Sequence, residues 1–387
     1  MTLLLVALIY LAFISLGLPD ALLGAAWPVL APELGAGLSW AGVVSTIISC
    51  GTIVSSLLSD RVTRKFGAGL VTAVSVGLTA LALLGFSFAR SFWAICLIAV
   101  PYGLGAGAVD AALNNYVAVH YNSKYMNWLH CFWGVGAAIG PYIMGACLGA
   151  SLGWRAGYNA TALIQILMTA VLFAALPLWK KAKREAPEKV TEGTKTKSVW
   201  KLPGVKSVLV AFFAYCALES TAGLWASSYL VGYRGVDAVT ASRFAGLFYI
   251  GMTVGRFGCG FISDLFGDEN MIRGGTAVMA AGILMILQPL REPTFALLGL
   301  VVLGVGAAPV YPAIIHSTPK RVGKENSQAM VGIQMAAAYT GSTVMPPLFG
   351  LLAQKISLAL YPWFLGAFLL ITIFMTGRVK RFSPCDS

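Results

Sequence analysis

The stretch LLLVALIYLAFISLGLPDALLGAAWPVL, residues 3–30, decides the class of this protein. It exceeds the roughly 20 apolar residues that an α-helix needs to cross the hydrocarbon of a bilayer. One charged residue, Asp20, interrupts it directly after Pro19. A carboxylate in hydrocarbon costs roughly a few kcal/mol or more, so it faces a bundle interior or a wet cavity and marks a functional position. Asp110 and Glu219 lie in long apolar stretches of the same kind. Residues 1–18 lack the basic n-region of a leader and their apolar character continues to Leu30, so they are expected to be a retained first span.

The rest of the composition agrees. Of 387 residues, 58% are hydrophobic and only 11% charged, with a mean hydropathy of +0.79. An ordinary soluble domain is far more polar. The net charge of +12 raises nucleic acid as a partner. The basic residues, however, cluster in short segments between apolar runs, as juxtamembrane charges do, and form no continuous basic face. No nucleic-acid partner is expected. Six of the seven cysteines (Cys50, Cys96, Cys131, Cys147, Cys216 and Cys259, but not Cys385) fall within apolar runs, and no Cys-x-x-Cys occurs. They read as small buried residues rather than disulfides or metal ligands. H-E-x-x-H, G-x-S-x-G and G-x-x-x-x-G-K-[ST] are absent, which argues against an enzyme or an ATP-driven pump and against any bound cofactor or metal.

Counting apolar stretches gives an all-α integral membrane protein with twelve transmembrane helices, at about 3–30, 39–59, 67–88, 92–118, 128–149, 154–179, 206–231, 241–263, 273–290, 294–316, 327–352 and 358–377. Residues 180–206 differ, with nine Lys/Arg and three Glu. The expected organisation is a six-helix bundle over 1–179, a linker over 180–205 and a second six-helix bundle over 206–387. With both termini inside, twenty Lys/Arg fall on the cytoplasmic side against six opposite, which orients the chain. The expected location is the cell (inner) membrane.

The halves repeat each other. Gly51 to Ser59-Asp60 matches Gly255 to Ser263-Asp264, and Gly103-x-Gly105-Ala106 matches Gly304-x-Gly306-Ala307. Gly140-Pro141 with Gly145 is answered by Gly341, Pro346-Pro347 and Gly350. Two pseudo-symmetric six-helix bundles in parallel order are a transporter architecture.

These features resemble the major facilitator superfamily over essentially the whole chain. Asp60-Arg61-x-x-Arg64-Lys65-Phe66-Gly67 resembles the superfamily's D-R-x-G-R-K loop, with Val62-Thr63 where one spacer and a Gly are usual. Gly255-Arg256-x-x-x-Gly260-x-x-x-Asp264 is a second familiar form. Within the superfamily the chain is most similar to the fucose permease and hexose symporter branch, through Gly17-x-x-Asp20-x-x-x-Gly24, Gly105-x-Gly107-x-x-Asp110-x-Ala112-x-Asn114, and Glu219 followed by Trp225 and Tyr229. Asp110 stands where that branch more usually has Glu.

The resemblance implies that Asp20 and Asp110 serve proton coupling or bind sugar hydroxyls. Burial favours the protonated form of a carboxylate, so a change in water access can load or release a proton. An ionised carboxylate is also a strong acceptor for hydroxyls. Glu219 joins them as a coupling and binding candidate. Arg256 is expected to couple with Asp110, directly or through substrate; bonding to backbone carbonyls or to Asp264 is the competing arrangement. Trp225 and Tyr229 offer a flat apolar platform with a polar edge. Asn114, Gln165, Gln334, Tyr339 and Trp133 complete the binding candidates, and helix–helix bonding is the alternative for each. His130 is expected at the cytoplasmic mouth in a solvated role. Asp60, Arg61, Arg64, Lys65 and Asp264 are expected to act in gating. The expected function is secondary active transport of a small polar solute, a monosaccharide, with proton coupling and sodium as the other possible ion. The other reading is an exporter of drugs or lipophilic metabolites on the same fold. The expected partners are the bilayer and the substrate, and the expected state is a monomer.

Overall fold

Pro19 breaks the first apolar run into two helices. The computed structural model describes residues 2–20, 22–37, 40–179, 199–236, 238–288 and 293–380. Helix α1 (Thr2–Gly17) stops where Pro19 withdraws an N–H and crowds residue 18 out of helical geometry. Turn bonds from Asp20 N to Gly17 O and from Leu22 N to Pro19 O, each 3.1 Å, carry the chain across the gap. Helix α2 (Leu22–Glu33) then resumes. Asp20 therefore stands just ahead of the first turn of α2, where unpaired N–H groups and the helix dipole favour negative charge.

The chain continues through α3 (Ala41–Phe66), α4 (Ala68–Phe88), α5 (Phe92–His120), α6 (Ser123–Gly149), α7 (Gly153–Ala174) and α8 (Val205–Gly232). It ends with α9 (Ala238–Leu287), α10 (Thr294–Ala307), α11 (Val310–His316), α12 (Thr318–Val322), α13 (Lys324–Lys355) and α14 (Tyr361–Lys380). No described residue is in a strand. Large apolar side chains such as Leu81, Trp93, Leu97, Leu265 and Phe374 lie bare on the helix surfaces, a pattern that lipid accepts and water penalises.

Ten described helices are long and apolar enough to cross a membrane, against the twelve spans expected. Two elements account for the difference. The apolar stretch Gly246–Leu287 runs 42 residues within α9, and its helical geometry is broken at Gly267, with φ 73° and ψ 159°. Its length is about twice what one crossing needs. Helix α13 has 32 residues, but its Ser, Thr, Gln, Asn and Pro keep it out of the apolar set. Residues 180–198 of the expected linker lie outside the described residues. Gly204, at φ 81°, turns the chain into α8, a left-handed conformation that glycine adopts without strain.

The chain divides into two compact units, Met1–Tyr116 with Leu129–Lys195, and Val117–Trp128 with Thr196–Ser387. In each, glycines let helix backbones touch. A methyl at Gly17 would collide with the Trp133 carbonyl, one at Gly140 with the Leu18 carbonyl, and one at Gly103 with the Ile48 carbonyl. In the second unit, Gly304 meets the Phe248 carbonyl and Gly341 the Phe213 carbonyl in the same way. The repeated Gly103/Gly304 and Gly140/Gly341 positions thus do equivalent packing work. Between membrane helices, where lipid is as apolar as leucine, such close approach is what van der Waals attraction and interhelical bonds require.

Candidate functional site

In the first unit the close approach of α1 and α6 at Gly17 brings Trp133 to the helix break. Its indole Nε1 donates to Asp20 Oδ2 at 2.9 Å, while Asp20 itself stays exposed. Asp110 is buried, at 4% exposure. Asn114, one turn further along α5, donates its Nδ2 to Asp110 Oδ1 at 2.7 Å and to the Asp110 carbonyl at 3.0 Å. The Asn114 Oδ1 is then an acceptor, and His130 Nε2 meets it at 3.0 Å. That contact assigns the Nε2 hydrogen to His130. Asp110, Asn114 and His130 form one buried polar chain across α5 and α6. This corrects the solvated role expected for His130: its ring is buried and stands edge-on to Phe13 at 5.6 Å. A sequence signal was available, since His130 and Trp133 lie three apart and share a helix face.

Gln165 has a different use. Its Nε2 donates to the Ser15 carbonyl at 2.6 Å and its Oε1 accepts from Thr79 Oγ1 at 2.9 Å. The fully buried amide ties α1, α4 and α7 together.

In the second unit Glu219 on α8 meets Arg256 on α9. Arg256 Nη2 lies 3.7 Å from Glu219 Oε1, with side chains 4% and 19% exposed respectively. Arg256 thus faces Glu219 rather than Asp264, and Asp110 has its own partner in Asn114. Among the described residues, Glu219 Oε2 and Arg256 Nε have no hydrogen-bond partner. Tyr215, four residues before Glu219, donates to the Ala307 carbonyl at 2.8 Å. The Tyr311 ring lies 6.0 Å from the guanidinium of Arg256, within reach of a cation–π attraction.

The aromatics are engaged elsewhere. Trp225 Nε1 donates to the Pro346 carbonyl at 2.9 Å. Tyr229 donates to the Ile286 carbonyl at 3.2 Å and accepts from Arg234 Nε at 3.0 Å. It stacks on Tyr233 and Tyr361 and is 1% exposed. These contacts make Tyr229 part of the frame of α8, α9 and α14, not an open platform. Gln334 is fully buried and its Oε1 accepts from Thr318 Oγ1 at 3.0 Å, while its Nε2 has no hydrogen-bond partner among the described residues. Tyr339, on α13, is half-buried.

Of the expected gating residues, Arg64 Nε donates to Asp60 Oδ1 at 2.7 Å one helical turn away, an exposed pair of small energetic weight. Arg61 and Lys65 share that end of α3. Asp264 Oδ1 accepts the Lys124 backbone N–H at 3.3 Å. Asp268 and His316, which the sequence did not single out, form a second group beside it. No group of three or more His, Cys, Asp or Glu among the described residues could hold a metal ion.

Comparisons with known proteins cover most of the chain. The family model of the Major Facilitator Superfamily matches residues 9–327 and 208–382. Bypass of stop codon protein 6 of Saccharomyces cerevisiae is 24% identical over 389 residues, covering 90% of this chain and 77% of that protein. The Hexuronate transporter of Bacillus subtilis is 23% identical over 408 residues, covering 97% of this chain and 93% of its own. Among solved structures, the crystal structure of FucP, a transporter of that superfamily, in the outward conformation aligns with a TM-score of 0.79 and 14% identity over 98% of both chains. At that identity the likeness is one of fold.

Proposed function

The chain belongs to the Major Facilitator Superfamily, and from that premise we propose that the solute it carries is a small polyol, a monosaccharide, moved together with protons. It is a multi-pass membrane protein and a secondary transporter of a small solute. Our reading takes α9 as two spans meeting at Gly267 and α13 as a further one, making twelve in two repeats. It has both termini cytoplasmic and the protein acting as a monomer.

The observation that carries the polyol reading is the loose pair of Glu219 and Arg256. Among the described residues a buried donor, Arg256 Nε, and a buried acceptor, Glu219 Oε2, have no hydrogen-bond partner, on two side chains whose Nη2 and Oε1 lie 3.7 Å apart. An unmet buried polar group costs about 1–3 kcal/mol, and a ligand that meets both recovers that cost. Neighbouring hydroxyls fit, because one accepts from the guanidinium while another donates to the carboxylate. The pair is neutral overall, so a neutral solute suits it better than an ion.

For the proton, we take Asp20 and Asp110, which both lie in apolar spans of the first unit, as the carboxylates that load and release it. Asp20 is exposed and bonded by Trp133, while Asp110 is buried and bonded by Asn114, so the two differ in access to water. Alternating exposure of such carboxylates, with solute binding favouring one conformation, is enough to couple the two fluxes.

Counterflow in proteoliposomes against labelled neutral sugars, with and without imposed proton and sodium gradients, tests the reading. Sugar exchange with accumulation driven by the proton gradient is the expected result. Exchange of lipophilic cations with none of any sugar would overturn it.

A further inference from the structure

Where α9 turns at Gly267, residues from three parts of the chain close on one another. His316, the last residue of α11, has Nδ1 2.8 Å from Asp268 Oδ2 and Nε2 3.0 Å from the Tyr121 carbonyl oxygen. Ser123 Oγ donates to the other oxygen of Asp268 at 2.8 Å. Asp268 is 8% exposed and Ser123 4%, so water competes little for these bonds. All of these residues belong to the second unit, which includes Val117–Trp128.

A carbonyl oxygen only accepts, so His316 Nε2 must carry a hydrogen to bond Tyr121. An ionised carboxylate also only accepts, so Nδ1 must carry one too, unless Asp268 holds the proton and donates it to Nδ1. Either way, the closed cluster contains one proton more than a neutral imidazole beside an ionised carboxylate. We infer that Asp268 and His316 form a proton-binding latch, which grips residues 121–123 while it holds its proton and releases them when the proton leaves.

Without that proton one of the two imidazole bonds is lost: with the remaining hydrogen on Nδ1 the bare Nε2 faces the Tyr121 carbonyl, and with it on Nε2 the bare Nδ1 faces the carboxylate. A cavity of about 460 Å³, lined among others by Ser123, Asp268, His316 and Lys320, opens beside the cluster and admits water. The charged neighbours are Asp264 and Glu269 on α9, Lys320 and Arg321 on α12, Lys324 at the start of α13 and Lys124 on α6. His316 carries the kind of side chain whose ordinary titration falls between about pH 5 and about pH 8.

The grip has a mechanical meaning. The segment it holds joins α5, which carries Asp110 and Asn114, to α6, which carries His130 and Trp133. Releasing it frees the connection between the two helices that share the buried polar chain. The inference depends on the transporter reading only for this consequence, since no solute enters the argument.

Hydrogen–deuterium exchange of the full chain in lipid nanodiscs tests the latch, read on a peptide covering 117–128 and corrected for the intrinsic pH dependence of exchange. Protection of that peptide, relative to one from α8, should fall as pH rises from about 5.5 to about 8.5. The fall can reach about tenfold per pH unit where closed and open states differ by one proton. In His316→Gln the peptide should be poorly protected at every pH. In Asp268→Asn the new amide can donate to Nδ1 of a neutral ring while Nε2 still bonds Tyr121, so protection should stay high and flat. Flat protection in the unaltered protein overturns the inference. So does a poorly protected or still pH-dependent segment in Asp268→Asn with α8 protection intact. Transport need not be measured, so failure of the latch is distinguishable from failure of the sugar reading.

Discussion

Glu219 Oε1 and Arg256 Nη2 face each other across 3.7 Å on two helices of the second unit, too far for a hydrogen bond. The two charges offset each other, and among the described residues Glu219 Oε2 and Arg256 Nε have no hydrogen-bond partner. Removing either partner leaves the other charge buried and uncompensated, at a cost of about 3–5 kcal/mol. Glu219→Gln and Arg256→Gln alone should therefore each lower Tm by several degrees. The double variant should recover most of that loss while sugar counterflow stays below about a tenth of the unaltered level. A double variant no more stable than the worse single one would show that the two residues are not coupled.

On the reading proposed above, the chain from Asp110 through Asn114 to His130 serves driving rather than binding. Asp20→Asn and Asp110→Asn should each abolish proton-driven accumulation, and at least one should still exchange solute. Asn114→Leu breaks both bonds of the chain and should cut accumulation by about tenfold or more, with a smaller effect on counterflow. Accumulation and counterflow measured on the same proteoliposomes check this. Unchanged accumulation in both aspartate variants would remove them from the mechanism.

Gln165 should behave as a frame residue. Gln165→Leu deletes its bonds to Ser15 and Thr79, each interhelical bond being worth about 0.6 kcal/mol on average in a membrane protein. Thermal stability should drop by a few degrees while KM for the solute changes less than about twofold. A large KM change at unaltered Tm would place the residue in the binding site after all.

At the end of α2, outside the apolar spans, Glu33 bonds Arg155 and the Trp154 indole. Hydrogen bonds from Arg155 and then Trp154 hold its carboxyl below the usual glutamate range. With the folded-state value lowered, its contribution is present above the unfolded glutamate pKa of about 4.3 and is lost as pH falls through the lowered folded value. The group is exposed, so the contribution is small. Thermal melts taken across the acid range should show a shallower decline in Glu33→Gln than in the unaltered protein. Parallel declines would mean that the contact adds nothing.

Much of this was legible along the chain, and the exceptions are instructive. The Asp20 anomaly, the glycines that repeat between the halves and the Gly255–Asp264 form could each be read from local order. Gly103 and Gly304 then did the packing that a repeat implies. For Gln165 and Tyr229 the sequence left solute binding and interior bonding both open, because a buried amide or phenol has the same sequence signature whether its partner is a carbonyl or a solute. His130 was misplaced for a related reason: depth along a helix does not reveal which face turns inward. Asp268 and His316 lie 48 residues apart, and no local pattern joins them to Tyr121.

By itself, then, the sequence determined that this is a helical membrane protein with an internal repeat and with acids in apolar stretches. Hydrocarbon imposes that outcome residue by residue, since every backbone polar group must be met within its own helix and every intramembrane charge is costly. Only the tertiary structure decided which partner each polar side chain has. Hydrogen bonds act over about 3 Å, and Trp133 reaches Asp20 across 113 residues of chain. That choice of partners ties Gln165 to Ser15 and Thr79, sets Glu219 beside Arg256 and joins Asp268 to His316.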